Sequence, residues 1–335
     1  MKAVTSLQSS QRRNVAKMLL VAGIASIGCM FSANAADVYP SKPITLVVPY
    51  PAGGANDMLG RLIGQKMSEG LKQQIIIDNR PGAGTLIGAT VVAKAPADGY
   101  TLLVGGFASN SVSPLLFKAE YDPIKDFEPI GMFGTAPTVL ITYPNSPYKT
   151  IKDVVDAAKK KPGEVMYGSS GNGSPLHMSG EMFTSQAGVN MTHVPYKGGS
   201  AHILDLIGGR LDVIFDTSTN STPLIKGGKV RPIAVSGPSR LPDFPNVPTF
   251  AESGYPNFAV NGWYALYAPA KTPKDITNRL SAELQKVLKM PDVIEKLRGV
   301  GVTPGTGEAP ELAKYAPSEL EKYRKLIKDA NIKAD

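Results

Sequence analysis

Residues Ile44-Thr45-Leu46-Val47-Val48 form an apolar, β-branched run with no polar alternation. That pattern suits a strand covered on both faces, so the sheet it belongs to needs a layer on each side. Pro49 and Pro51 stop the run, and Gly53-Gly54 supply a backbone that can turn tightly and approach a ligand closely. Met58, Leu59, Leu62, Ile63, Met67 and Leu71 then recur at helical spacing, which predicts a helix opening near Ala55 and ending near Gly70. A strand, a side-chain-poor loop and a helix N-terminus together present unpaired N–H groups and the positive end of a dipole. Such a junction is an anion site in waiting. The plainer reading is a tight strand-to-helix turn in which Asp57 offsets the dipole from the first helical turn.

From Ala36 onward, strand and helix signals keep alternating. Gln74 to Asp78 reads as a second strand, followed by Asn79-Arg80-Pro81-Gly82-Ala83-Gly84 and a helix through Lys94. Thr101 to Val104 is a third strand, ending in Gly105-Gly106-Phe107-Ala108-Ser109-Asn110. Phe127 to Tyr143 carries apolar runs broken by Gly134 and Pro137, and reads as chain crossing from one lobe to another. Ile151 to Lys160 is a helix and Val165 to Tyr167 a strand; the loop Gly168-Ser169-Ser170-Gly171-Asn172-Gly173-Ser174 follows, with Ser174 as N-cap of a helix from Pro175. Thr192 to Val194 leads through Tyr196-Lys197-Gly198-Gly199 into a helix to Ile207, and Leu211 to Phe215 ends in Asp216-Thr217-Ser218-Thr219-Asn220. Val230 to Val235 is another strand. After an aperiodic, proline-rich stretch, Asn261 to Tyr267 reads as a strand returning to the first lobe, and helices near 276–288, 293–297 and 311–328 close the chain.

This alternation predicts an α/β fold of parallel-type sheets flanked by helices in three layers. Strand after strand ends in a loop of Gly, Ser, Asn or Thr. In open α/β sheets ligands sit beyond the carboxyl ends of the strands, so these loops form a candidate binding rim.

The first 35 residues read as a secretion leader rather than part of the fold. Lys2, Arg12, Arg13 and Lys17 form a basic region, Met18 to Ile27 an apolar one, and Ala33-Asn34-Ala35 a small-x-small site, so cleavage is expected after Ala35. The apolar run is too short to span a membrane as a helix. Cys29 raises a lipoprotein reading, but Ser26-Ile27-Gly28 before it lacks the expected leucine. Four of the 36 basic residues and none of the 28 acidic ones lie in the leader, so removing it takes the formal charge from +8 to +4. The lysines are scattered apart from Lys159-Lys160-Lys161, and no stripe for nucleic acid is visible. Without the leader no cysteine remains, which removes disulfides and thiolate metal sites from consideration.

The motifs for other chemistries are missing or malformed. A serine hydrolase wants Gly-x-Ser-x-Gly, and Gly168-Ser169-Ser170-Gly171 has the wrong spacing. His177 follows Ser174 by three residues, but no acid partner can be assigned to it. His177, His193 and His202 are too dispersed for a local metal motif, and His193 reads as a strand residue near the rim. Gly82 to Gly88 carries one residue too many for a dinucleotide fingerprint. Asp216, at a strand end, could accept hydrogen bonds from a ligand or cap the next turn.

Several of these stretches, taken in order, resemble one family. Val47-Val48-Pro49-Tyr50-Pro51-Ala52-Gly53-Gly54-Ala55-Asn56-Asp57 is similar to the leading motif of the tripartite tricarboxylate transporter substrate-binding proteins, the Bug family of periplasmic receptors. Asp78-Asn79-Arg80-Pro81-Gly82-Ala83-Gly84, Ala97-Asp98-Gly99-Tyr100-Thr101-Leu102, Asp122-Pro123 with Asp126-Phe127, and Val194-Pro195-Tyr196-Lys197-Gly198 continue the likeness. Gly208-Gly209-Arg210-Leu211-Asp212 and Gly262-Trp263 extend it across nearly the whole mature chain.

The resemblance implies a two-lobed type II periplasmic binding fold with a hinge, residues 36–138 plus 256–335 forming one lobe and 139–255 the other. It implies a small organic acid bound through its carboxylate by main-chain amides and hydroxyls. Ala52, Gly53, Gly54 and Asp57 would act from the first lobe, and Ser169, Ser170, Gly171 and Ser174 from the second. Phe107, Ala108, Ser109, Tyr196, Asp216 and Asn261 are further candidates, and Tyr50 stands where the family motif often has phenylalanine. The expected protein is a monomeric periplasmic receptor with no cofactor and no metal, not an enzyme, whose partners are the ligand and the permease subunits of a tripartite transporter. A periplasmic hydrolase and a sensor partnering a membrane kinase are the alternatives. Lobe closure is expected to bury Trp263, the only tryptophan, or to change its surroundings if it lies near the cleft.

Overall fold

A computed structural model describes residues 39–172, 174–196, 201–330 and 332. The leader with its cleavage site, and residues 197–200 of the loop after Tyr196, lie outside the described residues. Compactness divides the chain between Ser41 and Lys42, and every element below lies in the unit Lys42–Asp335.

The apolar run expected to be doubly covered is β1 (Ile44–Val48), four of its five residues buried. It pairs in parallel with β2 (Ile75–Asn79) and β3 (Thr101–Gly106). Between β1 and β2 runs α1 (Ala55–Leu71), which turns Leu59, Ile63, Met67 and Leu71 inward as their spacing dictates. The helix between β2 and β3 is α2 (Leu86–Ala93). Beyond β3 the chain forms a π-helical turn (Ala108–Val112) and the short α3 (Ser113–Leu116) rather than an open loop.

Next comes β4 (Phe127–Thr142), a single strand of 16 residues where the sequence suggested broken runs. The interruptions are absorbed differently. Shifts of register fall between Pro129 and Gly131 and between Met132 and Gly134, so extra residues bulge without ending the strand. Pro137, which has no N–H to offer, is the last residue to pair with the later strand β9 (Asn261–Pro269).

The second group comprises α4 (Ile151–Lys160), β5 (Met166–Ser169), α5 (Pro175–Ala187), β6 (Thr192–Pro195), α6 (Ala201–Ile207), β7 (Val213–Thr217), α7 (Ser218–Lys226) and β8 (Arg231–Val235). Helix α4 is opened by a capping box in which Thr150 and Asp153 each bond the other's backbone N–H. Two strands run further than expected. β5 includes Gly168 and Ser169, and β7 includes Asp216 and Thr217, so α7 begins where a loop was foreseen. After β9, helices α8 (Lys274–Leu288), α9 (Pro291–Gly299) and α10 (Ala309–Asp329) close the chain, with β10 (Thr303–Pro304) between the last two.

The sheet runs β2-β1-β3-β9-β4-β7-β5-β6, with β8 and β10 also on β4. Pairs β1–β2, β1–β3, β5–β6 and β5–β7 are parallel, as alternating strands and helices require. Every pair made by β4 or β9 is antiparallel. β4 therefore joins two parallel sets. Its residues 127–137 face β9, and from Thr138 onward it faces β7 and, from Val139, β8. At the change of partner, Thr138 N donates to Ser236 Oγ at 2.7 Å and Thr138 Oγ1 donates to Val260 O at 2.8 Å. Three segments are thus pinned at one point.

Trp263 is 1% exposed and edge-on to Tyr315 of α10, with ring centroids 5.6 Å apart. It already sits in the core, so the expectation that lobe closure would bury it does not hold.

Candidate functional site

The first loop is held from behind by Asp57. This side chain is buried in the first turn of α1; its Oδ2 accepts from Gly53 N and from Arg61 Nε, each at 2.9 Å, and its Oδ1 accepts from Asn79 Nδ2 at 3.0 Å. The bond from Arg61 holds the carboxyl well below the usual range, at about 2, against the opposing effect of burial. Asn79 also donates to Tyr50 O at 3.1 Å, which ties the end of β2 to the start of the loop. Gly53 takes φ +84°, a conformation an L side chain rarely adopts, and its amide is directed back at Asp57. Asp57 and Gly53 N therefore serve the loop itself.

What the loop offers outward is Ala52, Gly53 and Gly54, all exposed, and the first turn of α1, which has no side-chain cap. The backbone amides of a first helical turn lack intrahelical acceptors and suit an anion. Tyr50 is half-buried, and burial, with Tyr264 nearby, pushes its phenol far above the ordinary value. It stays neutral.

In the second group, Ser169 closes β5 with its side chain fully buried. Its Oγ accepts from Gly171 N at 3.1 Å and lies 2.7 Å from His193 Nε2. Gly171 takes φ +126°, and a Cβ there would come within 2.9 Å of Tyr196 O. Ser174 caps α5 through a bond from His177 N at 3.3 Å, and its own amide donates to Gly171 O at 3.2 Å. Ser170 is half-buried, and Ser169, Gly171, Ser174 and Tyr196 are thus gathered around one turn.

The remaining candidates are placed less openly. Phe107 is buried and edge-on to Tyr323 at 4.9 Å, so its ring serves the core. Ser109 is buried too, its Oγ accepting from Gly106 N at 3.1 Å and donating to Asn110 Oδ1 at 2.7 Å. Ala108 between them is half-buried. The Tyr196 hydroxyl donates to Asp205 Oδ2 at 2.5 Å, and burial together with that carboxylate pushes its pKa up to about 12. Asn261 Oδ1 accepts from Ser236 Oγ at 2.7 Å, beside the change of partner on β4.

Asp216 is fully buried, and burial pushes its carboxyl up to about 7 although Asn220 and Thr217 N bond it. Its Oδ2 has no partner. A cavity of about 270 Å³ includes Asn261, Thr135, Thr222 and Arg298 in its lining, and another of about 590 Å³ lies between Tyr121 and Arg324. Neither contains the first loop, because Pro51–Gly54 faces solvent.

Arg61 lies one helical turn beyond Asp57 on α1, a spacing the sequence does show. Spacing along the chain could not reveal three other contributors. Asn79 emerges only from the contact of α1 with the end of β2. His177 and His193, too far apart for a motif, stack with ring centroids 4.1 Å apart. Among the described residues no group of three or more His, Cys, Asp or Glu is arranged to hold a metal ion, and no helix is long and apolar enough to cross a membrane. Ser169 is fully buried, its hydroxyl engaged by Gly171 and His193.

The two loops offer amides and small hydroxyls that suit an anion, and the chain as a whole is similar to known proteins. A profile of the family described as "Tripartite tricarboxylate transporter family receptor" matches residues 59–332. Protein BugT from Bordetella pertussis is 31% identical over 328 residues, 96% of this chain and 99% of that one. A solved structure of an R. palustris protein with adipate is 36% identical with a TM-score of 0.79, covering 89% of this chain and 100% of the other. MatC from Rhodopseudomonas palustris with bound malate is 31% identical with a TM-score of 0.76, covering 86% of this chain and 100% of the other.

Proposed function

Since the chain belongs to the tripartite tricarboxylate transporter receptor family and has a two-lobed type II periplasmic binding fold, we propose that it captures a small organic acid between its lobes and delivers it to a tripartite-type membrane permease. The observation that carries this reading is the first loop. Its exposed residues Ala52–Gly54 carry almost no side chain, lead into an uncapped helix, and are braced from behind by an Asp57 that Arg61 neutralises. Backbone amides with no competing side chain recognise a carboxylate and tolerate different groups attached to it. The Ser169–Ser174 turn is the matching element on the second lobe. The lobes are 36–138 with 256–335, and 139–255; the change of β4 partners after Pro137 supports that boundary.

Structures of relatives hold adipate and malate, both dicarboxylates, which makes a dicarboxylate the first probe to try. The working protein is a periplasmic monomer beginning at Ala36. Thermal shift and calorimetry with adipate, malate and aromatic acids test the reading, with amines and neutral sugars as controls. A carboxylate at a hundred times its dissociation constant stabilises the fold by about 2.7 kcal/mol. Shifts with amines or sugars and none with carboxylates overturn it.

A further inference from the structure

His193 Nε2 lies 2.7 Å from Ser169 Oγ. The same hydroxyl meets both polar groups of Gly171, accepting from its N–H at 3.1 Å and facing its carbonyl at 3.2 Å. A serine hydroxyl has one proton to give. If His193 Nε2 is bare, that proton goes to the imidazole and the Gly171 carbonyl keeps only its bond from Ser174 N. If Nε2 carries a proton, the imidazole donates to Ser169 Oγ, and the serine proton is free for the Gly171 carbonyl. One hydroxyl then clamps both groups of the residue that bends the turn, at φ +126°. An imidazolium always carries the proton on Nε2, so acid favours the clamped form.

We propose that His193 is a positioning residue for ligand binding, acting through Ser169 to hold the Gly171–Ser174 turn and making carboxylate affinity rise as pH falls. This rests on the reading that the turn holds the ligand's carboxylate.

The groups around His193 fit that role. Its ring stacks on His177 of α5 at 4.1 Å, 8° from parallel, and on Tyr167 of β5 at 4.9 Å. Tyr167 donates to Glu181 Oε1 at 2.5 Å, and the same oxygen lies 3.7 Å from His177 Nε2. Burial works to raise the Glu181 carboxyl, but the bonds from His177 and Tyr167 hold it below the usual value, so it remains an anion. Burial and Glu181 raise the Tyr167 phenol, which remains neutral. Glu181 thus presents a carboxylate to the stack. His202 stands on the other face of β5, where a Cβ on Gly168 would come within 3.5 Å of it; Tyr196 and Asp205, bonded to one another, are associated with that side through α6. A positive charge gained behind the turn also attracts an anionic ligand.

The test uses two variants of the full chain. His193→Gln keeps a donor for Ser169 Oγ but cannot titrate, and His193→Phe keeps the stacked ring but loses the donor. Calorimetry with adipate, or with whichever dicarboxylate binds, should find wild type about fivefold tighter at about pH 6 than at about pH 8, a range in which carboxylic acids stay ionised. His193→Gln should bind nearly as well as acid-form wild type at both pH values. His193→Phe takes no proton from Ser169 and leaves it for the Gly171 carbonyl, so it should likewise bind without pH dependence. A variant of either kind that keeps the pH dependence, or a wild type whose affinity is indifferent to pH, overturns the proposal. If wild type binds no carboxylate, the receptor reading itself falls, and the ligand-free protein decides the present one. The Gly171 amide resonance should follow one titration in wild type and none in His193→Gln; a Gly171 signal indifferent to the titration overturns the proposal independently.

Discussion

Asp216 is the last residue but one of β7, with its side chain out of water, Oδ1 accepting from Thr217 N at 2.8 Å and Oδ2 unpartnered. Taking a carboxylate out of water disfavours its charged form, which is why its pKa rises to about 7. The folded state then holds a proton that the unfolded chain, with a carboxyl pKa of about 3.9, gives up. The stability linked to this proton is complete below about pH 4 and is lost as pH rises through about 7, on the order of 4 kcal/mol in all. Asp216→Asn copies the neutral acid without the titration. Urea melts should show wild type and Asp216→Asn similar near pH 4, and the variant more stable at about pH 8. A variant that is less stable at both pH values would show that the charged carboxylate is wanted. Asp57 is the opposite case, an acid kept ionised by Arg61. Both stood out in the sequence as acids near a strand end or helix start. Arg61 lies one turn along α1 from Asp57, but the opposite states were not legible as a pair, because Asn79 and the burial of Asp216 come from different elements meeting.

At the scale of elements, the junction of β1, its loop and α1 separates two neighbouring glycines. Gly53 has φ +84°, so any side chain there strains the backbone, by about 1–3 kcal/mol. Gly54 has φ −82° and ψ 172°, ordinary extended backbone, and a Cβ there would meet only Pro51 O at 3.6 Å. Gly54→Val should therefore fold with a normal circular dichroism spectrum and melting temperature while losing carboxylate binding, since the branched side chain stands over the amides. Gly53→Val should melt lower. Unchanged affinity in a folded Gly54→Val protein would remove this loop from the site. The existence of this junction was plain from Ile44–Val48 and the spacing of Met58 to Leu71. The unity of β4 was not, because Gly134 and Pro137 read as breaks until the strands beside them show how a bulge and a change of partner accommodate them.

For the whole molecule, a ligand held by both loops must favour the state in which the two lobes meet, and only by its difference in affinity for the two states. Solution scattering at saturation with a bound dicarboxylate should show a smaller radius of gyration than the free protein. Trp263 emission should change little, because the indole is already 1% exposed beside Tyr315. An unchanged scattering profile at proven saturation would favour a rigid pocket within one lobe. The sequence by itself determined the α/β class, the family, and which loops carry little but backbone. Those follow from local periodicity, from turn residues and from motifs read in order. The tertiary structure decided that β4 joins two parallel sets. It also decided that Phe107 and Ser109 serve the core, that Asp57 braces a loop, and that His177, His193 and Ser169 form one chain of contacts. Those depend on which face of a strand or helix meets which neighbour, and residues 16 or 24 positions apart become neighbours only when the sheet is assembled.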